Sequence, residues 1–243
     1  MSQTKPAPVK AISNSVVTEY SKMKGVLGVV LIGSAAHDTF DKHSDIDFYI
    51  ITVNKTKLSR KCYIASNGIV VDILYNSIGE IRRYLREEQA SLYRNVSHML
   101  ARGRILFKSS EEVVKLQKSA RSNLKRKTRH TKEEIIMHKY SIMDFLDDAR
   151  RDAHGGNSVP FYWNAHFCIQ NAMELQLKLS GSYLRKPAEL FSHTQQTDKR
   201  FFSLLQSFYS DDLLLPKCLT ALEKIALQAL TKSGGPLPKE WSI

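Results

Sequence analysis

Val29-Val30-Leu31-Ile32-Gly33-Ser34-Ala35-Ala36-His37-Asp38-Thr39-Phe40-Asp41-Lys42-His43-Ser44-Asp45-Ile46-Asp47-Phe48-Tyr49-Ile50-Ile51 is the stretch on which the fold turns. Its first apolar run, Val26 to Ile32, is short, rich in β-branched residues and ends on Gly33. That pattern predicts a strand buried on both faces that turns into a helix. A polar interval follows, and then a second apolar run carries Asp-x-Asp. Side chains alternate along a strand, so Asp45 and Asp47 project to one side while Ile46 and Phe48 pack on the other.

Two carboxylates on one patch repel, and each raises the other's pKa unless a cation lies between them. A hard divalent ion such as Mg²⁺ suits the position, because it takes oxygen ligands and is commonly held by one or two carboxylates plus substrate phosphates. The Gly33-Ser34 turn supplies the complement. At a helix N-terminus its free amides, the Ser34 hydroxyl and the positive end of the helix dipole would favour phosphate. A third acid, Asp72, lies in Gly68-Ile69-Val70-Val71-Asp72-Ile73-Leu74-Tyr75, with Val70 and Leu74 on its face and Val71, Ile73 and Tyr75 on the other. A charge inside an apolar strand needs a partner, so Asp72 should meet a cation, either a metal or one of the many Lys and Arg side chains. If its strand adjoins that of Asp47, three acids suffice for two metal ions clamping the oxygens of an in-line displacement.

These residues resemble the signature of the DNA-polymerase-β-like nucleotidyltransferase superfamily: apolar strand, Gly-Ser, an interval, Asp-x-Asp between apolar residues, then a later strand acid. The motif covers roughly residues 25 to 75, and Gly103-Arg104-Ile105-Leu106-Phe107 looks like the last sheet strand of that family. A chain of this size with a helical second half resembles the antibiotic nucleotidyltransferases acting on aminoglycosides and lincosamides, and their uncharacterised bacterial relatives. The resemblance implies that Gly33 and Ser34 hold the nucleotide phosphates, that Ser44 adds a phosphate contact, and that Asp45, Asp47 and Asp72 form a catalytic, metal-binding site. It also implies an NTP substrate, with ATP the expected nucleotide, a hydroxyl-bearing acceptor, pyrophosphate release and a homodimer. The acceptor hydroxyl would be deprotonated by Asp72 or by an acid of the helical half. Relatives often carry Arg or Tyr directly after Gly-Ser and a Gly a few residues on, where this chain has Ala35 and Asp38, so a bidentate phosphate donor is missing.

Periodicity divides the chain in two. A helix over 8–23, strands over 26–32, 46–53, 61–65, 69–75 and 104–107, and helices over 78–89 and before the last strand make an α/β half with a mixed sheet and flanking helices. This is expected as a catalytic domain over 1–108. Residues 109–243 read as an all-α helical bundle that binds the acceptor. Ser110 could cap a helix starting at Glu111-Glu112, and Thr131 with Glu134 forms a capping box for 132–153. Gly155-Gly156-Asn157 breaks the chain, Pro160 opens a helix to about Leu179, and further helices are expected over 197–209 and 212–232.

The 243 residues carry a net charge of +12, with 42% hydrophobic and 25% charged residues, as in soluble globular proteins. Cys62, Cys168 and Cys218 are far apart and form no ligand spacing, so they read as reduced thiols. With no apolar signal region and no membrane-length run, a cytoplasmic protein without membrane contact is expected. Excess charge peaks at Lys115, Lys118, Arg121, Lys125, Arg126, Lys127, Arg129 and Lys132, which makes nucleic acid a partner to weigh. The stripe lacks interleaved aromatics for base stacking, so a solvated face that steers nucleotide is favoured over RNA. Aminoglycosides are polycations and would need local acid. Asp144, Asp147, Asp148 and Asp152 could form an acidic wall or pair with Arg150 and Arg151, and Glu174 is a second base candidate. A nucleotide- or partner-binding antitoxin-like module is the alternative reading. A fused helical nuclease is not supported, because Arg94–His98, Arg126–His130 and Arg150–His154 each have three intervening residues rather than four to six.

Overall fold

The computed structural model describes residues 7–37, 39–210 and 214–243. Asp38, where a relative's Gly was expected, lies outside them. Helix α1 (Ala7–Tyr20) leads into β1 (Val26–Ile32), β2 (Ile46–Thr52), β3 (Arg60–Ile64) and β4 (Val70–Ser77). Helices α2 (Ile78–Glu87) and α3 (Asn95–Arg102), strand β5 (Arg104–Lys108) and helix α4 (Glu112–Asn123) follow. The rest is helical: α5 (Lys132–His154), α6 (Ser158–Ser180), α7 (Leu190–Thr197), α8 (Lys199–Phe208) and α9 (Leu215–Lys232).

The five strands form one sheet in the order β3-β4-β2-β1-β5. Only β2 and β4 are parallel; the other neighbours are antiparallel. Hydropathy explains the order. The strands apolar on both faces, β1, β2 and β4, take the centre, whereas the largely exposed Arg60–Ile64 strand closes one edge. Alternation then builds two cores. Val29, Leu31, Phe48, Ile50, Ile73 and Tyr75 pack under Val9, Val16 and Tyr20 of α1. Val30, Ile32, Tyr49 and Ile51 face Ile81, Leu85, Leu100, Val113 and Leu116 from α2, α3 and α4.

The chain divides into two compact units, one made of residues through Gln89 with Arg94–Arg126, the other of Ala90–Tyr93 with Lys127–Ile243. The first runs past residue 108 because α4 packs on the sheet. Arg94, with no exposed surface, fastens that corner: its guanidinium donates to the carbonyls of Glu88 (3.1 Å), Asn123 and Arg126 (2.8 Å). The Glu88 carboxylate in turn accepts the amides of Val96 (2.6 Å) and Ser97 (2.8 Å) at the start of α3, satisfying donors every helix leaves open. In the second unit Leu92 belongs to the helical core, and Tyr93 bridges to Leu184.

The Thr131–Glu134 capping box forms as expected, and a second one, Ser77 with Glu80, starts α2. Helix α4 begins one residue later than the Ser110 cap predicts, although the Ser110 hydroxyl still accepts the Glu112 amide at 3.2 Å. Helix α6 begins at Ser158, leaving Pro160 within its first turn, where a missing N–H costs nothing. Helix α7 leaves no clear period in the sequence, because Gly181, Pro187 and a polar run mask it. Among the described residues no helix is long and apolar enough to cross a membrane, and Cys62, Cys168 and Cys218 form no disulfide with one another.

Candidate active site

Register, more than spacing, assembles the site. Ile32 pairs with Asp47 across β1 and β2, Asp47 with Asp72 across β2 and β4, and Asp72 with Cys62 across β4 and β3. In-register neighbours point to the same side, so Asp47 and Asp72 stand side by side at the centre of the sheet. Asp45 is exposed and precedes β2 by one residue.

Gly33 closes β1 at φ 67°, ψ −158°, a conformation essentially reserved for glycine. A Cβ there would stand 2.3 Å from Asp47 Oδ2. The glycine therefore does two things: it turns the chain, and it lets the Asp47 carboxylate rest against the backbone. The turn leads into a three-residue 3-10 helix, Ser34–Ala36, rather than the α-helix expected. So short an element carries little dipole, and a phosphate here would depend on local donors instead. The Ser34 hydroxyl makes no hydrogen bond to any described residue and is available as one.

Ser44 is engaged otherwise. Its hydroxyl donates to Asp41 Oδ1 (2.9 Å) and accepts the Asp41 amide (3.1 Å), while the His43 amide donates to the same carboxylate oxygen at 2.9 Å. These bonds, the His43 amide first, hold the Asp41 pKa below the usual carboxylate range and shape the loop that delivers Asp45. His37 is exposed.

Asp47 is half-buried and its side chain has no hydrogen-bond partner among the described residues. Burial, then the neighbouring charges of Asp45 and Asp72, push its pKa up from 3.8 to about 6, with Arg60 opposing. A carboxylate so placed is short of positive charge. Asp72, 7% exposed, has a partner: Arg60 Nε donates to Oδ1 at 2.8 Å and Nη2 to Oδ2 at 2.5 Å. The sequence by itself allows an ion pair between Asp72 and any of the many Lys and Arg side chains, with nothing local to mark Arg60. The β3–β4 register, which sets Arg60 opposite Leu74, diagonal to Asp72, is what selects it from 36 basic residues.

Mg²⁺ fits the Asp47–Asp72 pair, since Asp47 has unused oxygens and too little compensating charge. The expected three-acid arrangement is looser than drawn from the sequence: among the described residues no group of three or more His, Cys, Asp or Glu side chains is gathered as a metal site.

In the helical unit the acids of α5 are mostly spoken for. Asp147 meets Arg150 (2.8 Å), Asp148 meets Arg151, and Asp152 accepts from Asn164 (2.9 Å), leaving Asp144 exposed. Glu174 accepts from Tyr93 Oη (2.9 Å) and Gln170 Nε2 (3.0 Å).

A glycine turn abutting paired carboxylates on parallel central strands, beneath helices on both faces, defines a protein built for phosphoryl chemistry. The chain belongs to the nucleotidyltransferase domain family, whose model matches residues 10–150, more than half of its length. It is also similar in fold to the crystal structure of a nucleotidyltransferase-like protein from Exiguobacterium sibiricum 255-15. The TM-score is 0.55 at 16% identity, covering 94% of this chain and 77% of that one. No curated protein matches. The chain is accordingly an enzyme of nucleotidyl transfer, and an NTP is its substrate.

Proposed function

We propose that the protein transfers an NMP group, AMP in the first instance, from an NTP to a hydroxyl of a small, antibiotic-like acceptor in a Mg²⁺-dependent reaction. The observation that carries this reading is Asp47 beside Asp72 in register on parallel central strands, with Gly33 pressed against the Asp47 carboxylate. Asp47 and Asp72, with Asp45 at the entrance, would hold Mg²⁺, which when bound neutralises charge developing on the phosphates. The Ser34 hydroxyl and the Gly33 turn hold the β- and γ-phosphates. The acceptor oxygen attacks the α-phosphorus, the bond to the bridging oxygen breaks, and pyrophosphate leaves. The acceptor proton passes to a carboxylate oxygen of Asp72.

The helical unit by itself holds a cleft of about 360 Å³ lined by Gln176, His193, Thr197, Asp198 and Lys232, of a size that takes a small organic molecule. The test is pyrophosphate release from ATP and Mg²⁺ across a panel of aminoglycosides, lincosamides and other polyols. Release that requires an acceptor and disappears in Asp47→Asn supports the reading. No release with any small acceptor, or turnover retained by Asp47→Asn, overturns it.

A further inference from the structure

Arg60 opens the exposed edge strand β3, and its fork engages both oxygens of Asp72. The two partners are unequal. The Asp72 side chain is 9% exposed and fixed in a central strand, whereas the Arg60 side chain is 65% exposed. Among the described residues nothing else holds the guanidinium, so it can rotate into solvent about its own torsions while the sheet stays intact. Beside it, Asp47 has oxygens without donors. One of the two acids is thus bonded directly to a counter-ion, while the other feels the same guanidinium only through space.

We infer that Arg60 is a displaceable counter-ion: it closes on Asp72 in the metal-free protein and is expelled when a divalent cation binds at Asp47 and Asp72. The inference rests on the metal-binding reading of those acids and goes beyond it. An ion that takes an Asp72 oxygen meets a lone pair already facing a guanidinium, and two cations on one carboxylate repel. The exposed partner is the one free to leave. Arg60 is therefore a positioning residue, which keeps Asp72 oriented before metal binds and scales apparent metal affinity down to the fraction of time the latch stands open. A latch closed roughly nine-tenths of the time weakens binding about tenfold.

Isothermal titration of the full chain with Mn²⁺ alone tests this, using wild type, Arg60→Gln, Arg60→Lys, Asp47→Asn and Asp72→Asn. Arg60→Gln should bind Mn²⁺ about tenfold more tightly, with Arg60→Lys in between and weakened binding in both Asn variants. A merely structural role for Arg60 would not raise metal affinity. If Arg60→Gln binds equally or more weakly, while Asp47→Asn still weakens binding, the latch is refuted and the metal site stands. If Mn²⁺ binds to no form, the metal reading of Asp47 and Asp72 fails and the latch with it. Thermal melts in EDTA check folding; should Arg60→Gln lack a cooperative melt, Arg60→Lys decides, by tighter binding than wild type or not.

Discussion

Gly33→Ala tests the site at its tightest point. The native backbone there, φ 67° and ψ −158°, costs a non-glycine residue about 1–3 kcal/mol. For a domain of this size that amounts to a melting-point loss of at least about 3 °C. The new methyl would also lie 2.3 Å from Asp47 Oδ2, where about 3.4 Å is the least that ordinary packing accepts. The carboxylate must withdraw by roughly 1 Å, and a displacement of that size at a catalytic group lowers turnover by about a hundredfold. Gly68→Ala separates the two effects. Gly68 also has positive φ, 80°, but nothing lies within 4 Å of its Cβ position, so it should lose stability and keep its turnover. Pyrophosphate release and thermal melts on both variants give the comparison. If Gly33→Ala turns over at wild-type rate, or both variants lose activity in parallel with stability, the contact between Gly33 and Asp47 does not organise the site.

Asp47→Asn should abolish transfer and still stabilise the metal-free protein. Because the folded pKa of Asp47 is raised from 3.8 to about 6, its ionisation opposes folding; the penalty is absent below about pH 3.8 and complete above about pH 6, at most about 3 kcal/mol. In EDTA the variant should therefore melt above wild type at about pH 8, the difference closing towards about pH 4; equal melts at the higher pH count against an uncompensated charge. Arg94→Met, which strands the carbonyls of Glu88, Asn123 and Arg126, should cost about 3 kcal/mol or more in chemical denaturation, and a loss under about 1 kcal/mol would show that the corner is held by packing alone. Replacing Lys125, Arg126 and Lys127 together by Gln should leave transfer to a small acceptor unchanged; salt-dependent RNA binding lost in that variant, together with lost activity, would favour an RNA substrate.

The site is a product of strand pairing, and strand pairing is where sequence reasoning was weakest. The runs 26–32, 46–53 and 69–75 were legible because two-faced apolar strands differ sharply from their surroundings, and the Thr131–Glu134 cap was legible because it is a contact three residues long. Helix α7 and the excursion of residues 90–93 into the helical unit were not, since a short polar helix and a single bridge to Leu184 leave no local period. The helix expected after Gly33 shortened to one 3-10 turn for a related reason: Ala35 is drawn into the sheet core, and that packing, not propensity, sets where the turn ends.

Sequence alone determined that an apolar strand, a Gly-Ser turn and Asp-x-Asp occur in a chain of α/β then all-α character, because local periodicity and residue chemistry suffice for that. Tertiary structure decided that Asp47 and Asp72 are neighbours, that Gly33 is required by the Asp47 carboxylate as well as by its own dihedral angles, and that Arg60 is the cation Asp72 meets. Each of these depends on which residue faces which across strands far apart in the chain. A shift of one residue in register would turn every one of those side chains to the opposite face.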